Sequence, residues 1–155
     1  MTNPPQGRPT ATIALTVKNS VEAIDFYKKV FDAQELHMMT GPDGKSTMHA
    51  EIKIGDSVIM LGDESPQMGM LSPKSLGGSG SGVYLYVCDV DATLKKASAN
   101  GAQITMPAFD GFWGDRMGAI IDPFGHKWSI ATHIKDMSSE EIAKAGQEWM
   151  KNMCK

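Results

Sequence analysis

His49 and Glu51 stand two apart in the alternating stretch Met48-His-Ala-Glu-Ile-Lys-Ile54, so on a strand both side chains share one face. An imidazole beside a carboxylate makes a general base, or half of an unorthodox metal site. The competing reading is a solvated strand face that continues into Lys53. A second group is Asp110 with Phe112-Trp113-Gly114-Asp115-Arg116. There Trp113 could stack on a ligand while Arg116 pairs with the ligand's carboxylate or with Asp115. In the structural alternative, Asp115 and Arg116 brace the loop and Trp113 packs beneath it. Asp115 therefore joins His49 and Glu51 as a candidate catalytic group. His126, in a turn, and His133, after the last strand, are expected at the surface, and Cys88 is expected to be a small buried hydrophobe without chemistry.

The elements that must position these groups come as a repeat. Thr12-Ile-Ala-Leu-Thr-Val17 alternates as a strand and runs into a helical pattern from Val21, capped by Asn19 or Ser20, with Ala23, Ile24, Tyr27, Val30 and Phe31 on one stripe. Gly82-Val-Tyr-Leu-Tyr-Val87 repeats the strand, and Asp89 caps a second helix that stops at Asn100-Gly101. Each copy continues into a hairpin: Met48–Ile54 with Ser57–Leu61 across Gly55-Asp56, and Arg116–Ile121 with Lys127–Ala131 across Asp122-Pro-Phe-Gly-His126. Leu76–Gly82, rich in Gly and Ser, reads as a flexible linker between the copies. Ser138-Ser-Glu-Glu141 forms a capping box for a last helix, whose stripe of Ile142, Ala145 and Trp149 is expected to dock on the body or on a second subunit. A repeated unit buries one face against its copy, which places the expected pocket where the copies converge.

Composition narrows the partners. The 155 residues, 41% hydrophobic and 21% charged, suffice for one core rather than two ordinary domains. A net charge of -3 without clustered lysines gives no attraction to nucleic acid or an anionic membrane, and no apolar run reaches spanning length. A small organic molecule is the expected partner. Met1–Pro9 lacks a signal peptide's apolar core and is expected to be a disordered lead-in to a cytoplasmic protein. The twelve Met are expected mostly to fill the core.

Together the two strand-helix-hairpin copies, Ile24-Asp-Phe-Tyr27, the Phe112–Arg116 segment and the Asp122–His126 turn resemble the glyoxalase / bleomycin-resistance / extradiol dioxygenase superfamily, also called vicinal oxygen chelate, and most of all its PhnB-like branch. The resemblance spans about residues 10 to 135. It implies an α+β fold: two βαβββ modules (about 10–75 and 82–135), joined by linker 76–82, form a cupped mixed sheet with helices on its convex face, and helix 136–155 follows. It also implies that the modules pair either within one chain or across a two-fold axis, and a homodimer is the expected state. Metal-dependent members draw ligands from the first and last strand of each module, which here places Thr12, Met60, Gly82 and Ser129 at those positions. None is a His or Glu, so no metal and no other cofactor is expected.

Alternation gives the expected floor of the cup as Thr12, Ala14, Thr16, Val58, Met60, Tyr84, Tyr86, Lys127 and Ser129. Such a lining suits an organic ligand with aromatic or amide character. The ligand-binding set is thus Thr12, Met60, Tyr84, Tyr86, Phe112, Trp113, Arg116 and Ser129. The leading expectation is a metal-free binder of the sequestering or resistance type. The alternatives are a lyase or isomerase using a non-standard metal or an acid/base site, and a dimeric interaction module.

Overall fold

The computed structural model describes residues 9–153 together with Pro4, so the expected disorder of the lead-in falls largely outside the described residues. The chain divides into two compact units, one running to Ser79 and including Phe124–His126, the other holding Gly80–Pro123 and the chain from Lys127. The division falls inside the expected linker.

In the first unit, β1 (Ile13–Val17), α1 (Ser20–Phe31), β2 (Gln34–Thr40), β3 (Thr47–Ile54) and β4 (Ser57–Asp63) build a sheet of order β1-β4-β3-β2. β1 lies parallel to β4 and the other neighbours are antiparallel, so α1 serves as part of the crossover and covers one face. Asn19 caps α1 by accepting from the Glu22 amide, a contact worth about 1 kcal/mol. Leu15, Val17, Ala50, Ile52, Ile59 and Leu61 meet the apolar stripe of α1, and burying a side chain such as Ile52 contributes roughly 1.5–3 kcal/mol. Phe26, Tyr27 and Phe31 form an aromatic cluster with Phe124, their ring centroids 5.6 to 6.2 Å apart. The short α2 (Pro73–Leu76) follows β4, and its start is held by Glu64, which accepts from the amide and hydroxyl of Ser72.

The second unit repeats the plan with β5 (Gly82–Tyr86), α3 (Val90–Ala99), β6 (Gln103–Asp110), β7 (Asp115–Ile121) and β8 (Lys127–His133), in the order β5-β8-β7-β6. β5 and β8 are parallel, and α3 packs on β6, β7 and β8. Asp89 caps α3 through the Ala92 amide. Helix α4 (Ser139–Met153) opens on the expected capping box, with Ser138 and Glu141 exchanging hydrogen bonds of 2.8 and 3.2 Å. Its Gly146 lies against the ring of Phe112, and Trp149 stands 5.7 Å from that ring, so the stripe docks on its own unit's loop. Among the described residues no helix is long and apolar enough to cross a membrane.

Three expectations are corrected. Cys88, in the turn between β5 and α3, is exposed rather than buried. His126 is buried, its Nε2 3.0 Å from the Thr16 carbonyl oxygen, because the turn folds inward beside Phe124 instead of facing water. Among the described methionines only Met117 joins the buried core; Met39, Met48, Met68, Met70, Met106 and Met150 are exposed, Met39 and Met106 on the edge strands β2 and β6.

A buried polar pair holds the second hairpin. The Trp128 indole, fully buried, donates to Asp122 Oδ2 at 2.9 Å. Replacing Asp122 by Ala strands that donor in an apolar setting, and the stability measured by urea unfolding is expected to fall by about 1–3 kcal/mol. A loss within a few tenths of a kcal/mol of zero would refute the role.

Candidate functional site

Because α1 and α3 each cover one sheet face, the chemistry-bearing side chains gather on the other. On the first unit's sheet, register sets Ala14 beside Met60, Met60 beside Glu51, and Glu51 beside His37. His49 occupies the next position on the same face, with Nε2 3.3 Å from Glu51 Oε1 and its ring 6.5 Å from that of His37. Glu51 is only 7% exposed, so this is not the solvated stripe of the competing reading. The imidazole and carboxylate do meet.

At the positions implied by the family pattern, Thr12, Met60, Gly82 and Ser129, no side chain is an imidazole or a carboxylate. Thr12 precedes β1, and the residue facing Met60 is Ala14; Gly82 faces Lys127, and the residue facing Ser129 is Tyr84. Hydroxyl, thioether and hydrogen side chains do not replace the imidazole and carboxylate donors a catalytic divalent ion needs. Among the described residues no group of three or more His, Cys, Asp or Glu has the geometry for a metal ion.

On the second unit's sheet the arrangement is aromatic and centred on Asp115, 3% exposed. Its Oδ2 accepts from the hydroxyl of Tyr86 at 3.0 Å and of Tyr84 at 3.4 Å, and its Oδ1 lies 2.8 Å from His133 Nδ1. The other nitrogen of His133 lies 3.0 Å from Asp136 Oδ1. Ionised carboxylates only accept, so a ring nitrogen facing each of two carboxylates favours the doubly protonated form of His133. The tyrosine rings stand 5.3 Å apart and remain 47% and 60% exposed, while Phe109 and Met117 continue the face. Phe109 and Phe112 set their rings 6.0 and 5.0 Å from that of Trp113, which lies over Gly111, where a Cβ would strike it. Gly114, at φ +96 and pressed against the Lys135 carbonyl, takes a conformation no side chain would tolerate there.

Electrostatics follow from these contacts. Burial would raise the Asp115 carboxyl, but donors led by His133 and Tyr86 outweigh it and hold the group below its ordinary value. The hydrogen bond to Asp115 pushes Tyr86 up to about 12, so its hydroxyl stays a donor to the carboxylate. Asp115 first and Asp136 second raise His133.

Thus Tyr84, Tyr86, Trp113 and Asp115 come together, with Ser129 beside Tyr84. Arg116 does not join them. As the strand neighbour of Asp115 it points to the helix side, where Nε and Nη2 bind Asp91 at 2.7 and 2.9 Å and Nη1 binds Asp110 at 2.8 Å. Phe112 props Trp113 and α4. His133, expected at the surface without a role, and Asp136, absent from the candidate residues, complete the cluster. The available signal was the hairpin count: Ile121 opposite Lys127 puts Asp115 opposite His133 six residues further out.

Two sheets of this order, each with a helix crossing from its first strand, define a duplicated βαβββ α+β protein. The chain belongs to the Glyoxalase/Bleomycin resistance protein/Dioxygenase superfamily, whose family model matches residues 10–130. It is 41% identical over 140 residues to an uncharacterized protein of Mycobacterium bovis, covering 88% of this chain and 91% of that one. Its fold is shared with the PhnB protein from Bacillus cereus (TM-score 0.63, 18% identity, 80% of this chain and 99% of that one). A fosfomycin resistance protein, FosX, from Listeria monocytogenes is similar too (TM-score 0.61, 16% identity, 87% and 98%).

A titration tests the His133 bridge. Its pKa is raised in the folded state, so its stabilising effect is fully present below the ordinary value of 6.5 and disappears as pH rises through the higher folded value. The His133 ring protons, followed by NMR, are expected to titrate above 6.5. In Asp136→Asn the midpoint should move down, and a midpoint at or below 6.5 in the unsubstituted protein contradicts the bridge.

Proposed function

We propose that this protein is a small-molecule binder of the superfamily that takes a flat organic ligand against the aromatic face of its second unit, in the manner of a sequestering or resistance-type protein. The observation that carries the reading is the pair Tyr84 and Tyr86, anchored through their hydroxyls to the buried Asp115 while their rings stay open. Anchoring removes ring freedom in advance, so less entropy is lost when a ligand stacks. Trp113 and Phe109 extend the area, and Ser129 supplies a hydroxyl beside Tyr84. A cation is not required, in keeping with the side chains at Met60 and Ser129 and beside them. A cytoplasmic homodimer is the setting that goes with this reading.

One observation favours a second reading. His49 and the nearly buried Glu51 make an imidazole–carboxylate pair on the open face of the first unit, suited to metal-free proton transfer. Under it, Glu51→Gln abolishes turnover of some substrate; under the binding reading that substitution leaves ligand affinity unchanged.

Thermal melting across a panel of flat heteroaromatic metabolites and antibiotics tests the proposal. A true ligand at a hundred times its Kd stabilises the native state by about 2.7 kcal/mol. The shift should vanish in Tyr84→Ala/Tyr86→Ala, whose sites are exposed enough for the fold to persist. A shift that survives the double substitution, or a panel with no hit, defeats the reading.

A further inference from the structure

The aromatic face is unusual in how its polar hydrogens are used. The hydroxyls of Tyr84 and Tyr86 donate to Asp115, and the two ring nitrogens of His133 are directed at Asp115 and Asp136. What these groups leave for a visitor is π-faces and the lone pairs of the phenol oxygens, both of which attract positive charge and hydrogen-bond donors. A carboxylate or phosphonate would find no free donor among them. The charges also have a direction along the sheet. At the Tyr86 end the two carboxylates of Asp115 and Asp136 flank the one imidazole of His133, while Lys127, opposite Gly82 and Ile121, marks the far end.

From this, and resting on the binding reading above, we infer that the ligand is a flat organic cation with N–H donors, an amidinium or protonated aromatic amine, seated with its charge at the Tyr86 and Asp115 end of the face. The raised Tyr86 hydroxyl is consistent with this, because a phenol that stays protonated keeps donating inward. The same bookkeeping of donors gives the selectivity: a ring that is neutral or anionic gains the stacking contact without the charge contact.

The test uses three probes of one shape, benzamidinium, benzamide and benzoate, titrated into the full chain at pH 7 by calorimetry. Benzamidinium is expected to bind at least tenfold more tightly than benzoate, with benzamide between. Its advantage should weaken as salt is added. In Tyr86→Leu, at an exposed position, the preference should fall by most of that factor. Benzoate binding as well as or better than benzamidinium overturns the inference while leaving a binding protein. Binding of benzamidinium with its preference intact in Tyr86→Leu overturns the placement. Silence from all three overturns the inference, and the wider melting panel then decides separately whether the face binds anything.

Discussion

Each unit seats its first strand parallel to its last, and the helix leaving the first strand therefore begins in a buried seam. A buried helix start leaves amide hydrogens that must find acceptors. The first unit answers with Asp63, whose two carboxylate oxygens take the amides of Ser20 and Thr47 at 2.7 and 2.8 Å. The second answers with Thr132, whose hydroxyl accepts from the Val90 amide and donates to the Val87 carbonyl. Both residues lie at the end of the last strand, beside Val17 and Val87 respectively. The two solutions differ in chemistry and agree in position, which is what a shared constraint looks like.

Once that seam is closed, the assignment of faces follows. Helices take one side of each sheet, and strand alternation sends every second residue to the other. Asp115 and Arg116 show the consequence most sharply. They are adjacent, oppositely charged and unpaired with each other: Asp115 collects donors on the open face while Arg116 ties α3 to the edge strand β6 through Asp91 and Asp110. The Arg116 contacts are solvent-exposed, so they set the position of β6 more than they stabilise it.

What could be read from the sequence had local causes. The caps at Asn19, Asp89 and Ser138, the two hairpins and the exposed tyrosines of β5 each follow from residues within a few positions of one another. The edge strands β2 and β6 escaped the residue-by-residue reading. Gln34–Thr40 is exposed along nearly its whole length, and Gln103–Asp110 contains Pro107, so neither shows clean alternation. Register shifts in both break what period remains. The site was legible in its residue types more than in its connections. The residue types at Tyr84, Tyr86, Trp113 and Asp115 are visible in the sequence, but Arg116, adjacent to Asp115, faces the other way because side chains on a strand alternate with a period of two. His133 was set aside because a histidine ending a strand looks solvated until its strand partner is counted.

The units also diverge where a site would have to form. If Val17 matches Val87, then Ala14 and Thr16 stand where Tyr84 and Tyr86 stand, and Met60 stands where Ser129 does. Counting through the hairpins sets Thr47 against Asp115 and Glu64 against His133. Glu64 turns to Ser72 and Ser75 and secures α2, whereas His133 turns to Asp115 and Asp136 and secures the tyrosines. One position in the repeat thus anchors a connecting segment in one copy and an aromatic face in the other. Duplication supplied the scaffold twice, but the buried carboxylate of the second copy holds two tyrosines, whereas that of the first, Glu51, meets a histidine. The open tyrosine rings belong to the second unit's sheet, and the first unit's His49–Glu51 pair is chemically a different surface.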